Sequence, residues 1–213
     1  MTERLKEIFS SIPDGEVFAD VGCDHGYIAK AMIKGGKCKK AIISDISEKS
    51  LNKAKTLLSR EIAAGKVIAV VSDGLKNLPD CDVALIAGMG GEEIIKILTE
   101  APFLPEKLVL QPMKNVRKVR EFAVGIGYAV MIDRVFSEGY MFYDLISLKK
   151  GEDTLTEEEK EYGRTNLIKP SAAFKKKIRW EIKNIDERIE QGNLKKNILL
   201  AFMKKREELK KYV

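Results

Sequence analysis

Between residues 16 and 149, short β-rich runs alternate with stretches of ten or more residues in helical periodicity, and no other feature narrows the fold as far. This is the rhythm of βαβ units, which require a parallel sheet with helices packed on its faces. Five runs read as strands: VFADVG, KAIISD, KVIAVVS, DVALIAG and KLVLQPM, most of them closed by Gly, Asp or Pro. Helices are predicted to begin near Tyr27, Ser47, Gly91 and Asn115. In the second, Leu51, Ala54, Leu57, Leu58 and Ile62 recur at helical spacing and supply one apolar face for the sheet.

The rhythm then breaks. YAVMIDRVF and YMFYDLISLKK are strand-like and separated only by Ser137-Glu138-Gly139, which predicts an antiparallel hairpin rather than another crossover. Five parallel strands finished by such a hairpin give the seven-stranded, Rossmann-like α/β layout of class I S-adenosylmethionine-dependent methyltransferases. A dinucleotide-binding domain ends instead in a sixth parallel strand.

From Thr154 the strand signal is absent. A helix is predicted to start just after Pro170, carrying Phe174, Ile178, Trp180, Ile182, Ile185 and Ile189. Gln191-Gly192-Asn193 breaks it, and a second helix follows with Leu194, Ile198, Leu199, Phe202, Met203 and Leu209. The expectation is a methyltransferase domain over 1–153 and a coiled-coil-like helical hairpin over 154–213, its apolar stripe packed internally. Charge separates the two parts. Residues 164–213 hold 15 Lys/Arg against 6 Asp/Glu, although the whole chain is only +6. A basic tail on a mildly acidic domain suits an anionic partner such as nucleic acid, or forms a solvated helical face. Cys23, Cys38 and Cys81 are irregularly spaced without a CxxC, which suggests neither a disulfide framework nor a metal site. No apolar run is long enough for a membrane span and the first residues lack a signal-peptide core. A cytoplasmic protein, monomeric or weakly dimeric, is expected.

Candidate chemistry gathers at strand ends. The first strand runs into Asp20-Val21-Gly22-Cys23-Asp24-His25-Gly26-Tyr27, where Asp24 stands in place of the second glycine of a GxGxxG loop. A carboxylate there repels a pyrophosphate but tolerates the sulfonium and ammonium of S-adenosylmethionine. The second strand ends in Asp45, about 20 residues beyond the glycine loop, where an acid can accept both ribose hydroxyls or can serve a helix cap. The third ends in Ser72-Asp73-Gly74, which reads as an adenine contact or an ordinary turn. Ala87-Gly88-Met89-Gly90-Gly91 follows the fourth and, lacking GKS or GKT, leaves room for a flat acceptor base rather than a phosphate. Gln111 and Pro112 close the fifth and are expected at the rim of the same pocket.

Together DVGCDHGY, the Asp45 strand end, SDGL, GMGG, LQP and the Trp-bearing basic tail resemble the bacterial TrmK family, tRNA methyltransferases acting on N1 of adenosine 22. The likeness runs in order through the whole chain. It implies S-adenosylmethionine as donor and tRNA as substrate. It places Asp20, Gly22 and Gly26 at the methionine end, Asp45 at the ribose, Asp73 and Gly74 at the adenine and Gly88 at the donor amine, with Cys23, Ile46 and Met89 beside them. The absence of a D/N-P-P-Y motif agrees with attack by a ring nitrogen, whose lone pair needs alignment more than activation. The methylated base is cationic, so Asp24 is the first candidate to stabilise it, with His25 and Tyr27 positioning the base. His25 alternatively serves as a cap and Tyr27 as a core residue. Gly90, Gly91, Gln111, Pro112, Lys114 and Arg117 are expected to meet the acceptor, and Lys175, Lys176, Lys177, Arg179, Lys195 and Lys196 the tRNA backbone. The competing readings are a methyltransferase for a small molecule or protein, and a non-catalytic RNA-binding protein on a degenerate fold.

Overall fold

The apolar runs become β1 (Val17–Val21), β2 (Lys40–Asp45), β3 (Val67–Val71), β4 (Val83–Met89) and β5 (Lys107–Pro112), and the hairpin becomes β6 (Tyr128–Glu138) and β7 (Met141–Lys150). In the computed structural model, which describes residues 1–213, these form one sheet in the order β3-β2-β1-β4-β5-β7-β6. The first five strands are parallel, and β7 runs antiparallel to both neighbours. The chain therefore starts in the middle of the sheet, winds outward one way through β3, and returns to wind outward the other way. The crevice at that reversal is where such sheets bind ligands.

Helices α1 (Glu3–Ser11), α2 (Tyr27–Lys34), α3 (Glu48–Leu57) and α4 (Ser59–Ala63) precede β3, while α5 (Gly91–Thr99) and α6 (Val116–Gly125) follow β4 and β5. Ile8, Ile28, Met32, Leu51 and Ala54 pack one face of the sheet; Ile94, Ile97, Leu98, Val119 and Ala123 pack the other. The two layers are the reason β4 reads as an unbroken hydrophobic run and β1 as one broken only by Asp20. α1 has no counterpart among the sequence expectations. Thr2 caps it by accepting from the Leu5 N–H, and Leu5, Ile8 and Ile12 fall at helical spacing on its inner side.

The hairpin turn is tighter than the sequence suggests. Ser137 pairs with Phe142 and Glu138 with Met141, so the turn consists of Gly139 and Tyr140 alone. Gly139, at φ 59°, supplies the left-handed backbone that a two-residue connection needs.

After β7 the chain is helical: α7 (Glu157–Tyr162), α8 (Arg164–Ile168), α9 (Ala172–Glu190) and α10 (Lys196–Leu209). The stripe of α9 is not confined to the helical hairpin. Phe174 and Ile178 bury themselves with Leu209 against Val135 of β6, whereas Trp180, Ile198 and Leu200 stay exposed. Beneath them Arg120 is fully buried. Its Nε and Nη2 donate to the two oxygens of Asp133 at 2.7 and 2.8 Å, Nη2 also reaches Asp144 Oδ1 at 2.9 Å, and Nη1 donates to the Lys160 and Glu161 carbonyls at 3.1 Å. Lys177 of α9 adds a bond to Asp144 Oδ2 at 3.0 Å. Burial works to raise the Asp144 carboxyl, but the Lys177 and Arg120 charges outweigh it and hold it below the usual range.

Candidate active site

The carboxyl ends of β1 to β4 open into a cleft of about 610 Å³, within the size range of small-molecule sites. Asp20, Gly22, Cys23, Asp24, His25, Tyr27, Asp45, Ile46, Asp73, Gly74, Gly88 and Met89, predicted from four separate strand ends, all line it. Two backbone features make the opening. Gly22 is left-handed at φ 72°, and a Cβ there would stand 2.2 Å from Met89 Cε; Gly88, at φ 79°, would place its Cβ 2.8 Å from Arg4 Nη2. A side chain at either position would close the space. Asp24 is also left-handed, at φ 46°, which is uncommon outside glycine and strains the loop tip.

The acids are not equivalent. Asp20 is 5% exposed, its Oδ2 accepts from the Ala29 N–H at 3.2 Å, and burial pushes its carboxyl up to about 7. Asp45 is half-buried. Its Oδ1 accepts from the Ser47 N–H at 2.8 Å while Ser47 caps α3, so the cap role belongs to Ser47 and Asp45 Oδ2 is left without a partner in the chain. Asp73 is bonded at 2.7 Å by Lys76, whose ammonium holds its carboxyl below the usual value. Asp24 Oδ2 lies 2.6 Å from His25 Nδ1, and Lys53 Nζ is 3.4 Å from Oδ1. Slight burial would raise the Asp24 carboxyl, but His25 and Lys53 together lower it. The His25 and Tyr27 rings stack with centroids 5.6 Å apart and Tyr27 exposed. That geometry suits Tyr27 to a flat group entering the cleft and removes it from the core.

Several residues predicted at the acceptor rim lie elsewhere. Gly91 is buried as the first residue of α5, and a Cβ would meet the Lys114 and Asn115 carbonyls at 2.7 and 2.9 Å, so it serves backbone packing. Gln111 and Pro112 are buried and do not line the cleft. Gln111 Oε1 instead accepts from Arg4 Nε and Nη2 at 2.9 and 2.6 Å. Gly90 and Lys114 sit together beside the cleft, with Lys114 Cε 3.1 Å from a Cβ built on Gly90. Arg117 is engaged by Glu157 and Glu121 and held away from the opening. In the tail Lys176, Arg179, Lys195 and Lys196 are exposed and Lys175 half-buried, but Lys177 is the Asp144 partner described above.

Sequence reasoning missed the far wall, formed by Thr2, Arg4 and Leu5 of the N-terminal segment with Glu138 and Tyr143 of the hairpin. The signal for α1 was present in a capping threonine followed by Leu5, Ile8 and Ile12. The pairing of Arg4 with Gln111, 107 positions away, left no local trace. No group of three or more His, Cys, Asp or Glu is arranged to hold a metal ion, and no helix is long and apolar enough to cross a membrane.

The donor set of the cleft fits a nucleoside ligand bearing cationic groups: acids at three adjacent strand ends and glycine backbone between them. Residues 1–146 match the family described as methyltransferase domain, and this fold with this cleft defines a class I methyltransferase. A candidate tRNA methyltransferase of Mycoplasma pneumoniae is 30% identical over 151 residues, which are 68% of this chain and 70% of that one. The tRNA (adenine(22)-N(1))-methyltransferase of Bacillus subtilis is 27% identical over 157 residues, 71% of this chain and 66% of its own. The structure of M. capricolum TrmK with S-adenosylhomocysteine superposes with a TM-score of 0.87 at 25% identity, covering 100% of this chain and 97% of that one. The chain belongs to the methyltransferase domain family and, within it, to the bacterial TrmK family.

Proposed function

We propose that the protein transfers a methyl group from S-adenosylmethionine to N1 of adenosine 22 in tRNA, in the cytoplasm. The observation that carries this reading is the cleft at the switch point of the sheet, where Asp20, Asp45 and Asp73 from adjacent strand ends face one cavity. S-adenosylmethionine supplies an electrophilic methyl group on a sulfonium. Asp45 holds the ribose through its free oxygen, Asp73 and Gly74 border the adenine, and Asp20 and Gly22 take the amino-acid end with the Gly88 backbone. Asp24 faces the acceptor and offsets the positive charge that methylation leaves on the base; the stacked His25 and Tyr27 rings orient that base. Residues 154–213 form a basic RNA-holding unit, with Lys176, Arg179, Lys195 and Lys196 outward and Lys114 beside the opening.

The test is methyl transfer from labelled S-adenosylmethionine to unmodified tRNA, with nucleoside analysis of the product. We expect 1-methyladenosine, lost when position 22 is changed. An Asp24→Asn protein should keep its cofactor affinity and lose roughly a hundredfold in turnover. Intact cofactor binding with no transfer to any tRNA would point to a small-molecule or protein acceptor.

A further inference from the structure

We propose that Arg4 binds the α-carboxylate of the methyl donor, which makes α1 part of the cofactor site; this rests on the methyl-donor reading above. The cleft wall carries six carboxylates, Asp20, Asp24, Asp45, Asp73, Glu93 and Glu138, against one arginine and no lysine. Those acids suit the ammonium, sulfonium and ribose hydroxyls of S-adenosylmethionine but repel its carboxylate. His25, the other basic side chain on the wall, has its Nδ1 taken by Asp24. Arg4 is the counter-charge that remains.

Its guanidinium is held ready for an anion. Nε and Nη2 both donate to the single Oε1 of buried Gln111, and the group lies over the Tyr143 ring with Cζ 5.5 Å from the centroid. The Arg4 backbone N–H donates to Glu138 Oε1 at 3.1 Å, which fixes the start of the helix. No carboxylate of the chain lies within 4.0 Å of the guanidinium, so its charge is uncompensated, whereas Arg117, Arg120, Arg134 and Arg164 are all ion-paired. Gln111 leaves the Nη1 edge free, and an arginine edge is the geometry that grips a carboxylate with two parallel bonds. The guanidinium also touches the space above Gly88, where the donor's amino-acid end is placed by the reading of β4.

The test is calorimetric titration of the full-length protein with S-adenosylmethionine and with decarboxylated S-adenosylmethionine, which differs by the carboxylate alone. The unsubstituted protein should bind the decarboxylated ligand roughly tenfold to a hundredfold more weakly, the range of a hydrogen bond between charged groups. Arg4→Ala should weaken S-adenosylmethionine by a similar factor and leave the decarboxylated ligand unchanged. Arg4→Gln, which can still donate to Gln111 without the charge, should behave in the same way. Equal weakening of both ligands in both variants would make Arg4 a prop for Gln111 and overturn the proposal, as would equal affinity of the unsubstituted protein for the two ligands. If the unsubstituted protein bound neither, the methyl-donor reading itself would fall.

Discussion

Asp20 is the residue whose environment makes the sharpest claim about the ligand. It ends β1 almost out of contact with water, with one hydrogen bond from the Ala29 N–H, and burial carries its carboxyl to about 7 from an ordinary value near 4. The sign follows from the raised value: its contribution to stability is full below about pH 4 and is lost as pH rises through about 7, because the folded chain favours the neutral acid. A cationic ligand reverses that preference by supplying the counter-charge the protein withholds. S-adenosylmethionine should therefore bind more tightly as pH rises from 6 to 8, with proton release on binding. The neighbouring Cys23 thiol is pushed far up by burial and stays protonated across this window; Asp24, His25 and Asp45 share the wall. Calorimetry in buffers of differing ionisation enthalpy measures the proton release, and Asp20→Asn should flatten the profile if Asp20 is its source. A steep profile that persists in Asp20→Asn would mean that Asp20 is not its source.

At the scale of elements, the sequence carried what depends on local periodicity and lost what depends on distant partners. The seven strands and the helices α2, α3, α5, α6, α9 and α10 were all legible, because an alternation of short apolar runs with helical stripes survives translation into a two-layered sheet. The hairpin was legible but not its turn, since Ser137 and Glu138 look like loop residues until their pairing with Phe142 and Met141 is seen. α1 was overlooked as a short leading segment, and with it the wall containing Arg4. The cofactor loops were read correctly as neighbours because strand ends in a parallel sheet must converge; Gly91 and Gln111 were misread because their partners, the Lys114 carbonyl and Arg4, come from elsewhere. The junction of α7 and α8 shows the same dependence and is testable. Gly163 has φ 82°, and a Cβ there would meet Asp133 Oδ1 at 2.5 Å, inside the Arg120 network. Gly163→Ala should cost about 1–3 kcal/mol from backbone conformation alone, with more from the displaced carboxylate. Urea unfolding would read it as a lower midpoint with an unchanged slope, and an unchanged midpoint would mean the junction yields without cost.

On the scale of the whole molecule, the basic tail is tied to the sheet by charge as well as by apolar packing, and this decides how its role must be tested. Arg120 spans both parts, bonding Asp133 and Asp144 on the hairpin strands and the Lys160 and Glu161 carbonyls at the end of α7. Asp133 N–H donates to Thr165 Oγ1 and Val135 N–H to Asn166 Oδ1, at 2.8 and 3.0 Å. A chain cut at 153 would strip the Lys160 and Glu161 carbonyls from a buried guanidinium and uncover Val135, so lost RNA binding after such a cut would report lost structure. Single charges are the cleaner probe, because each phosphate contact removed lowers the slope of log K against log salt by about 1. Lys176→Ala, Arg179→Ala and Lys196→Ala, all exposed, should lower the slope for tRNA while leaving the melting temperature unchanged. Lys177→Ala should do the reverse, since its ammonium is spent on Asp144. If the three exposed substitutions together left the slope untouched, the tail would not be the RNA-holding surface, and Lys114, beside the cleft, would be the next cation to remove.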